Sequence, residues 1–144
     1  MIYLDASIVF SLHYRDLNTP AALALIGSAI EPLLVSSLCE VEAVNAFSLR
    51  VFRHEMTLAN MNASVRDLEA DIRSGVVLLK PLPESAFARA KTLALSLTPV
   101  IGVRTADLLH VAAATELGAN SFYTFDRRQH KTAQAAGLMV NPLP

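Results

Sequence analysis

Ile2-Tyr3-Leu4-Asp5-Ala6-Ser7 places three apolar residues directly before a carboxylate, then a small residue and a hydroxyl. A run this short and uniformly apolar predicts a buried strand ending at Asp5, with a helix following. The pattern returns at Ser121-Phe122-Tyr123-Thr124-Phe125-Asp126, which predicts a strand over 121–125. Between these two stretches, Leu33-Leu34-Val35 and Val76-Val77-Leu78-Leu79 predict further strands, and residues 138–140 a last short one. Helices are expected over residues 7–14, 19–30, 37–53, 56–74, 84–95, 105–117 and 127–136. Their punctuation is specific: Asn18-Thr19-Pro20 reads as a cap and proline start, Ser36 and Ser37 as caps, and Gly75, Gly118 and Gly137 as stops. Strands alternating with helices argue for one α/β domain over residues 1–144, a central parallel β-sheet flanked by helices on both faces.

Composition narrows the function. The chain has 144 residues, 53% hydrophobic and 17% charged, which supplies a core and excludes disorder. Its formal charge of −1 excludes capture of nucleic acid by bulk positive charge, so any such contact must be local. The lone Cys39 sits among apolar residues and reads as a small buried hydrophobe. The N-terminal residues have neither a basic lead nor an apolar signal core, and no apolar run approaches the roughly 18 residues of a membrane span. A cytoplasmic location without a membrane role is expected.

Four acids stand out. In an open parallel sheet, ligands bind at the carboxyl ends of the strands, so Asp5 and Asp126 are candidates to share a site. Asp107 lies in the first turn of the very apolar Thr105-Ala-Asp-Leu-Leu-His-Val-Ala-Ala-Ala helix. Glu42 lies in Cys39-Glu-Val-Glu-Ala-Val-Asn, beside an apolar stripe expected to include Val41 and Val44. Each also has a structural reading: Asp5 and Asp126 as N-caps, Asp107 as a dipole partner behind a Thr105 cap, Glu42 as surface charge like Glu40. Converging carboxylates would raise one another's pKa unless a cation neutralised them, and an all-oxygen set suits Mg²⁺ or Mn²⁺. Ser7 and Thr124 are weaker candidates for orienting water or phosphate. Arg104, Arg127, Arg128 and Lys131 are candidate phosphate contacts or plain surface charge. His110, one turn past Asp107, reads as a core-edge histidine bonded to backbone. No Ser-His-Asp order, Cys-His pair, Walker loop or zinc spacing is present.

Together, Ile2-Tyr-Leu-Asp-Ala-Ser, Val35-Ser-Ser-Leu-Cys-Glu-Val-Glu, Arg104-Thr-Ala-Asp-Leu-Leu-His and Phe122-Tyr-Thr-Phe-Asp-Arg-Arg resemble PIN-domain proteins, in particular the VapC-type toxins of bacterial toxin–antitoxin pairs. The resemblance spans essentially the whole chain. It implies a PIN fold and a four-acid site of Asp5, Glu42, Asp107 and Asp126, with Glu42 taken over Glu40 by its distance from Ser36. A further acid found in some members is replaced here by Gln129. The implied activity is that of an endoribonuclease hydrolysing RNA phosphodiesters with metal-activated water, using Mg²⁺ or Mn²⁺. The implied partners are RNA, a small antitoxin and a second copy of the chain as a homodimer, with the 53–74 stretch a candidate arm for protein contacts. The rivals are an inert PIN scaffold acting as a protein-binding module and a haloacid-dehalogenase-type phosphatase. The latter wants a second aspartate two residues after the first, where this chain has Ser7.

Overall fold

Ile2 and Leu4 turn to one side of their strand and Tyr3 to the other, and both sides are buried. The computed structural model describes residues 1–144. Strands β1 (Ile2–Leu4), β2 (Leu33–Ser36), β3 (Val77–Lys80), β4 (Ser121–Tyr123) and β5 (Met139–Val140) pair in parallel in the order β3-β2-β1-β4-β5. Helices α1 (Ala6–His13), α2 (Thr19–Gly27), α3 (Ser37–Phe52), α4 (Leu58–Ser74), α5 (Ser85–Ile101), α6 (Thr105–Glu116) and α7 (Arg127–Ala135) complete the chain. The expected α/β architecture is the one observed, with helices on both faces of a parallel sheet.

Two apolar layers sandwich the sheet. Tyr3, Leu34 and Phe122 face Ala86, Ala90, the apolar residues of α6 and Ala133, so α5, α6 and α7 cover that side. Ile2, Leu4, Leu33 and Val35 face Ile8, Val9, Cys39, Ala43 and Leu68, contributed by α1, α3 and α4. At the centre, the Tyr3 and Phe122 rings stack with centroids 5.3 Å apart and planes 10° from parallel. Strand order sets where a site can form. The chain builds outward from β1 to β2 and β3, then returns to lay β4 and β5 on the opposite flank. That reversal opens a crevice between the carboxyl ends of β1 and β4.

Where structure and sequence differ, backbone hydrogen bonding gives the reason. The strand expected to reach Phe125 ends at Tyr123, because the next three N–H groups donate to side chains: Thr124 to Asn141 Oδ1, Phe125 to Ser7 Oγ and Asp126 to Thr124 Oγ1. α5 runs to Ile101, not 95, carrying Pro99 inside it until Gly102 turns the chain with φ +71°. Pro99 removes one N–H, but its neighbours Leu95 and Val100 are exposed, so water can serve the freed carbonyl. α2 stops at Gly27, and Asn18 makes no capping bond. Its place is taken by Asp16, whose Oδ1 accepts from Asn18 N and Thr19 Oγ1. On α3 the buried stripe is Cys39, Ala43 and Phe47, whereas Val41 is exposed.

Phe122 is fully buried at the junction of sheet and helices. Phe122→Ala should lower unfolding free energy by about 3–5 kcal/mol in urea titrations. A loss below about 1 kcal/mol would mean that the stacked pair does not anchor the sheet.

Candidate active site

The crevice at the carboxyl ends of β1 and β4 is an open cleft of about 390 Å³ whose lining includes Asp5, Glu42, Asp107 and Asp126. Four elements deliver these acids: the end of β1, the second turn of α3, the first turn of α6, and the turn after β4. Ser7, Arg104 and Gln129 line the same cleft. Arg127, Arg128 and Lys131 are exposed and do not line it.

Asp5 is only 2% exposed and caps α1, its Oδ1 accepting from Ser7 N at 3.0 Å, Ser7 Oγ at 2.6 Å and Ile8 N at 3.1 Å. Its Oδ2 accepts from Thr124 Oγ1 at 2.8 Å. Burial pushes the Asp5 carboxyl above its ordinary range, and the bonds from Ser7 and Thr124 only partly offset this. Asp126 likewise caps α7, with Oδ1 accepting from Arg128 N and Gln129 N, while Oδ2 lies 3.6 Å from the Arg104 guanidinium. The capping and site readings of these aspartates are therefore compatible.

Thr124 is fully buried, and its hydroxyl is committed to donating to Asp5 and accepting from Asp126 N. It joins two acid-bearing turns from a buried position. Ser7 Oγ similarly donates to Asp5 and accepts from Phe125 N, so it too braces the turns.

Asp107 is buried within the first turn of α6, whose N-cap position is taken by Arg104, not Thr105, without a side-chain cap. Arg104 donates Nε to Asp107 Oδ2 at 3.0 Å, and Gln129 donates Nε2 to Oδ1 at 3.0 Å. Gln129 is buried, and its other amide atom, Oε1, has no hydrogen-bond partner. A buried acceptor without a partner in the protein leaves room for an ordered water or a cation beside it. Glu42 is held differently. Its Oε2 accepts from His110 Nε2 at 2.7 Å, a bond that keeps its carboxyl below the ordinary range. His110 is fully buried, and its other nitrogen meets the Tyr3 hydroxyl, not backbone as the sequence suggested.

No three acidic, histidine or cysteine groups are disposed to hold a metal ion together. The guanidinium of Arg104 stands between Asp107 and Asp126 as their counter-charge. Its side chain is 65% exposed on a long stem, so it can be displaced. Lined by five carboxylates, with Asp16 the fifth, and by three arginines, the cleft offers oxygen donors of the kind a hard divalent ion takes, though the carboxylates are not gathered about one point.

Arg50, Arg53 and Asp16 line the cleft and escaped the sequence reading, while Gln129, read there only as the replacement of an acid, is found bonded to Asp107. Glu42, Ala46, Leu49, Arg50 and Arg53 form one wall of the cleft because they recur along a single stripe of α3. That spacing was visible in the sequence, but nothing there aimed the stripe at the acids. Arg50 is braced by Glu55 at 2.6 Å and lies 5.4 Å over the Phe10 ring.

Comparisons agree with this architecture. VapC20 of Mycobacterium tuberculosis, a sarcin–ricin loop cleaving toxin, superposes with a TM-score of 0.72 at 19% identity, over 96% of this chain and 97% of that one. FitAcB from Neisseria gonorrhoeae gives 0.69 at 18%, over 99% and 97%. VapBC2 from Rickettsia felis, bound to a DNA fragment from its promoter, gives 0.65 at 16%, over 98% of each chain. At such identities the likeness is one of fold. No curated protein matches the sequence. The family model of the PIN domain matches residues 2–135, nearly the whole chain, and this protein therefore belongs to the PIN-domain family.

Proposed function

We propose that this chain is a metal-dependent endoribonuclease, the toxin of a toxin–antitoxin pair, acting through Asp5, Glu42, Asp107 and Asp126 with Mg²⁺ or Mn²⁺. The observation that carries the reading is that Asp5, Glu42, Asp107 and Asp126, from four separate elements, line one cleft whose wall also bears arginines. Its likeness in fold to toxin structures, some of them complexes with a partner and DNA, supports an antitoxin partner. A homodimer and a cytoplasmic location belong to the same proposal; no helix is long and apolar enough to cross a membrane.

When bound, the divalent ion would polarise a phosphoryl oxygen and make attacking water more acidic. The protein supplies the positioning. Asp5 and Asp107 enter the cleft from braced positions, Asp5 through Ser7 and Thr124, and Asp107 through Gln129. Glu42 and Asp126 complete the set. Arg50 and Arg53 line the approach from α3, where they can contact RNA phosphates, and Arg104 can move from Asp107 to the phosphate being cleaved. The cleft lining carries five carboxylates against three arginines, so a bound cation would have to help offset the excess before RNA could enter. The Arg104–Asp107 pair favours one rival, an inert scaffold in which arginine replaces metal permanently.

Purified chain should cleave structured RNA only with Mg²⁺ or Mn²⁺, and Asp107→Asn should lower the rate by at least about 100-fold. Equal cleavage by wild type and variant would remove the catalytic claim. Absence of both cleavage and calorimetric Mn²⁺ binding would favour the inert scaffold. Arg104→Gln should tighten Mn²⁺ binding by about 3–10-fold, by removing a competing cation, yet weaken RNA binding and reduce its salt slope by about one. Tighter binding of both ligands would contradict its double role. The pH dependence follows from Asp5. Its folded pKa lies above the ordinary 3.8, so the metal-free fold loses stability as pH rises from that value through the raised one. Divalent ions need the charged form, so the rise in Tm caused by Mn²⁺ should be small within that window and grow to full size above it. A rise independent of pH would count against Asp5 as a ligand.

A further inference from the structure

Glu42 is the one acid of the four held by a bond from another buried side chain alone. Asp5 and Asp126 are fixed by backbone N–H groups at their helix starts, and Asp107 by Arg104 and Gln129. Glu42 projects from mid-helix into the cleft, and its recorded hydrogen bond comes from His110 Nε2 at 2.7 Å. Behind the ring runs a buried chain of polar atoms: His110 Nδ1 to Tyr3 OH at 2.9 Å, Tyr3 OH to Ser36 Oγ at 2.6 Å, and Cys39 N donating to Ser36 Oγ at 3.3 Å. Tyr3 lies on β1, Ser36 caps α3, and His110 lies on α6. The chain therefore ties the central strand and two helices to one carboxylate.

Counting protons gives this chain a direction. Ionised Glu42 can only accept, so Nε2 carries a proton. In a neutral ring Nδ1 is then bare and accepts from the Tyr3 hydroxyl. Ser36 donates to the Tyr3 oxygen and still accepts from Cys39 N, so every proton has an acceptor. If Nδ1 were protonated as well, Tyr3 would have to donate to Ser36, and the buried Ser36 hydroxyl proton would have no partner in the structure. The network is fully satisfied only with the Nε2–H tautomer.

We infer that His110 is a positioning residue: held in its Nε2–H tautomer by Tyr3 and Ser36, it fixes the Glu42 carboxylate at the mouth of the acid cleft. The inference rests on the proposed function for the value of Glu42 as a metal ligand, but the hydrogen-bond ordering stands apart from it. His110 touches neither substrate nor the reacting atoms; it acts through Glu42, and Tyr3 and Ser36 act through it.

Two substitutions separate positioning from packing. A glutamine amide reaches the place of Nε2 and can still donate to Glu42, whereas asparagine reaches only the place of Nδ1 and meets Tyr3 alone. Mn²⁺ affinity of the full chain, measured by calorimetry, should stay within about threefold of wild type in His110→Gln and fall by about 10–100-fold in His110→Asn. Melting temperatures of both variants, taken without metal, control for lost packing. Equal affinities in the two variants, whether both retained or both lost, would overturn the inference. Should either variant fail to fold, long-range ¹H–¹⁵N spectra of the wild-type imidazoles decide. A neutral ring with a slowly exchanging Nε2 proton supports the ordering, and an Nδ1–H or doubly protonated ring overturns it. If wild type takes up no Mn²⁺, the nuclease reading fails, while the same spectra still decide whether His110 holds Glu42 as described.

Discussion

A carboxylate buried at the end of the central strand constrains everything around it. Asp5 carries a carboxyl into a place where charge is costly, and the fold admits it because both oxygens accept hydrogen bonds. Oδ1 is met by the opening turn of α1 and Oδ2 by Thr124, which follows β4. Those bonds require β1 and β4 to be neighbours and their following turns to be adjacent. The adjacency of β1 and β4 and the cleft at their ends thus go together with housing one acid.

The same economy recurs around the cleft. Asp126 caps α7 with one oxygen and faces Arg104 with the other. Thr124 and Ser7 each donate to Asp5 and accept a backbone N–H from the turn after β4, so each acid-bearing turn is stiffened by its neighbour. A metal site benefits from this stiffness, since ligands already fixed lose little freedom on binding. Burial makes Asp5 reluctant to ionise, whereas the His110 bond makes Glu42 readily ionised. The cleft therefore combines one carboxyl that gives up its proton late with one that is charged in advance.

Arg104 gives the cleft its adjustability. It is the most exposed of the charged groups paired with Asp107 and Asp126, and it is joined to the framework only through them. The chain thus carries its own counter-charge for Asp107 and Asp126. On the far side of the cleft, α3 brings Glu42 and the arginines of its last turns onto one face. The helix can present both because Ser36 caps its start and Cys39, Ala43 and Phe47 bury its opposite face.

Much of the fold was legible because periodicity and punctuation are local. The apolar runs at Ile2–Leu4 and Leu33–Val35, the Ser36 cap and the glycines at 75, 118 and 137 each act on residues nearby, and the structure follows them. The gathering of the acids at 5, 107 and 126 around one cleft was legible for a related reason: strand ends and helix first turns lie together at the carboxyl edge of a parallel sheet. What the residues could not show was direction and partnership across the chain. Pro99 stays inside a helix because its surroundings are wet, and β4 ends early because three side chains intercept its N–H groups. His110 looked like an ordinary core histidine because Tyr3 and Glu42 lie 107 and 68 residues away in sequence. Sequence alone determined which elements form and which residues carry charge, since those depend on neighbours along the chain. Only the tertiary structure decided which charges meet and which hydroxyls are consumed, because hydrogen bonds and ion pairs are set by distance in space.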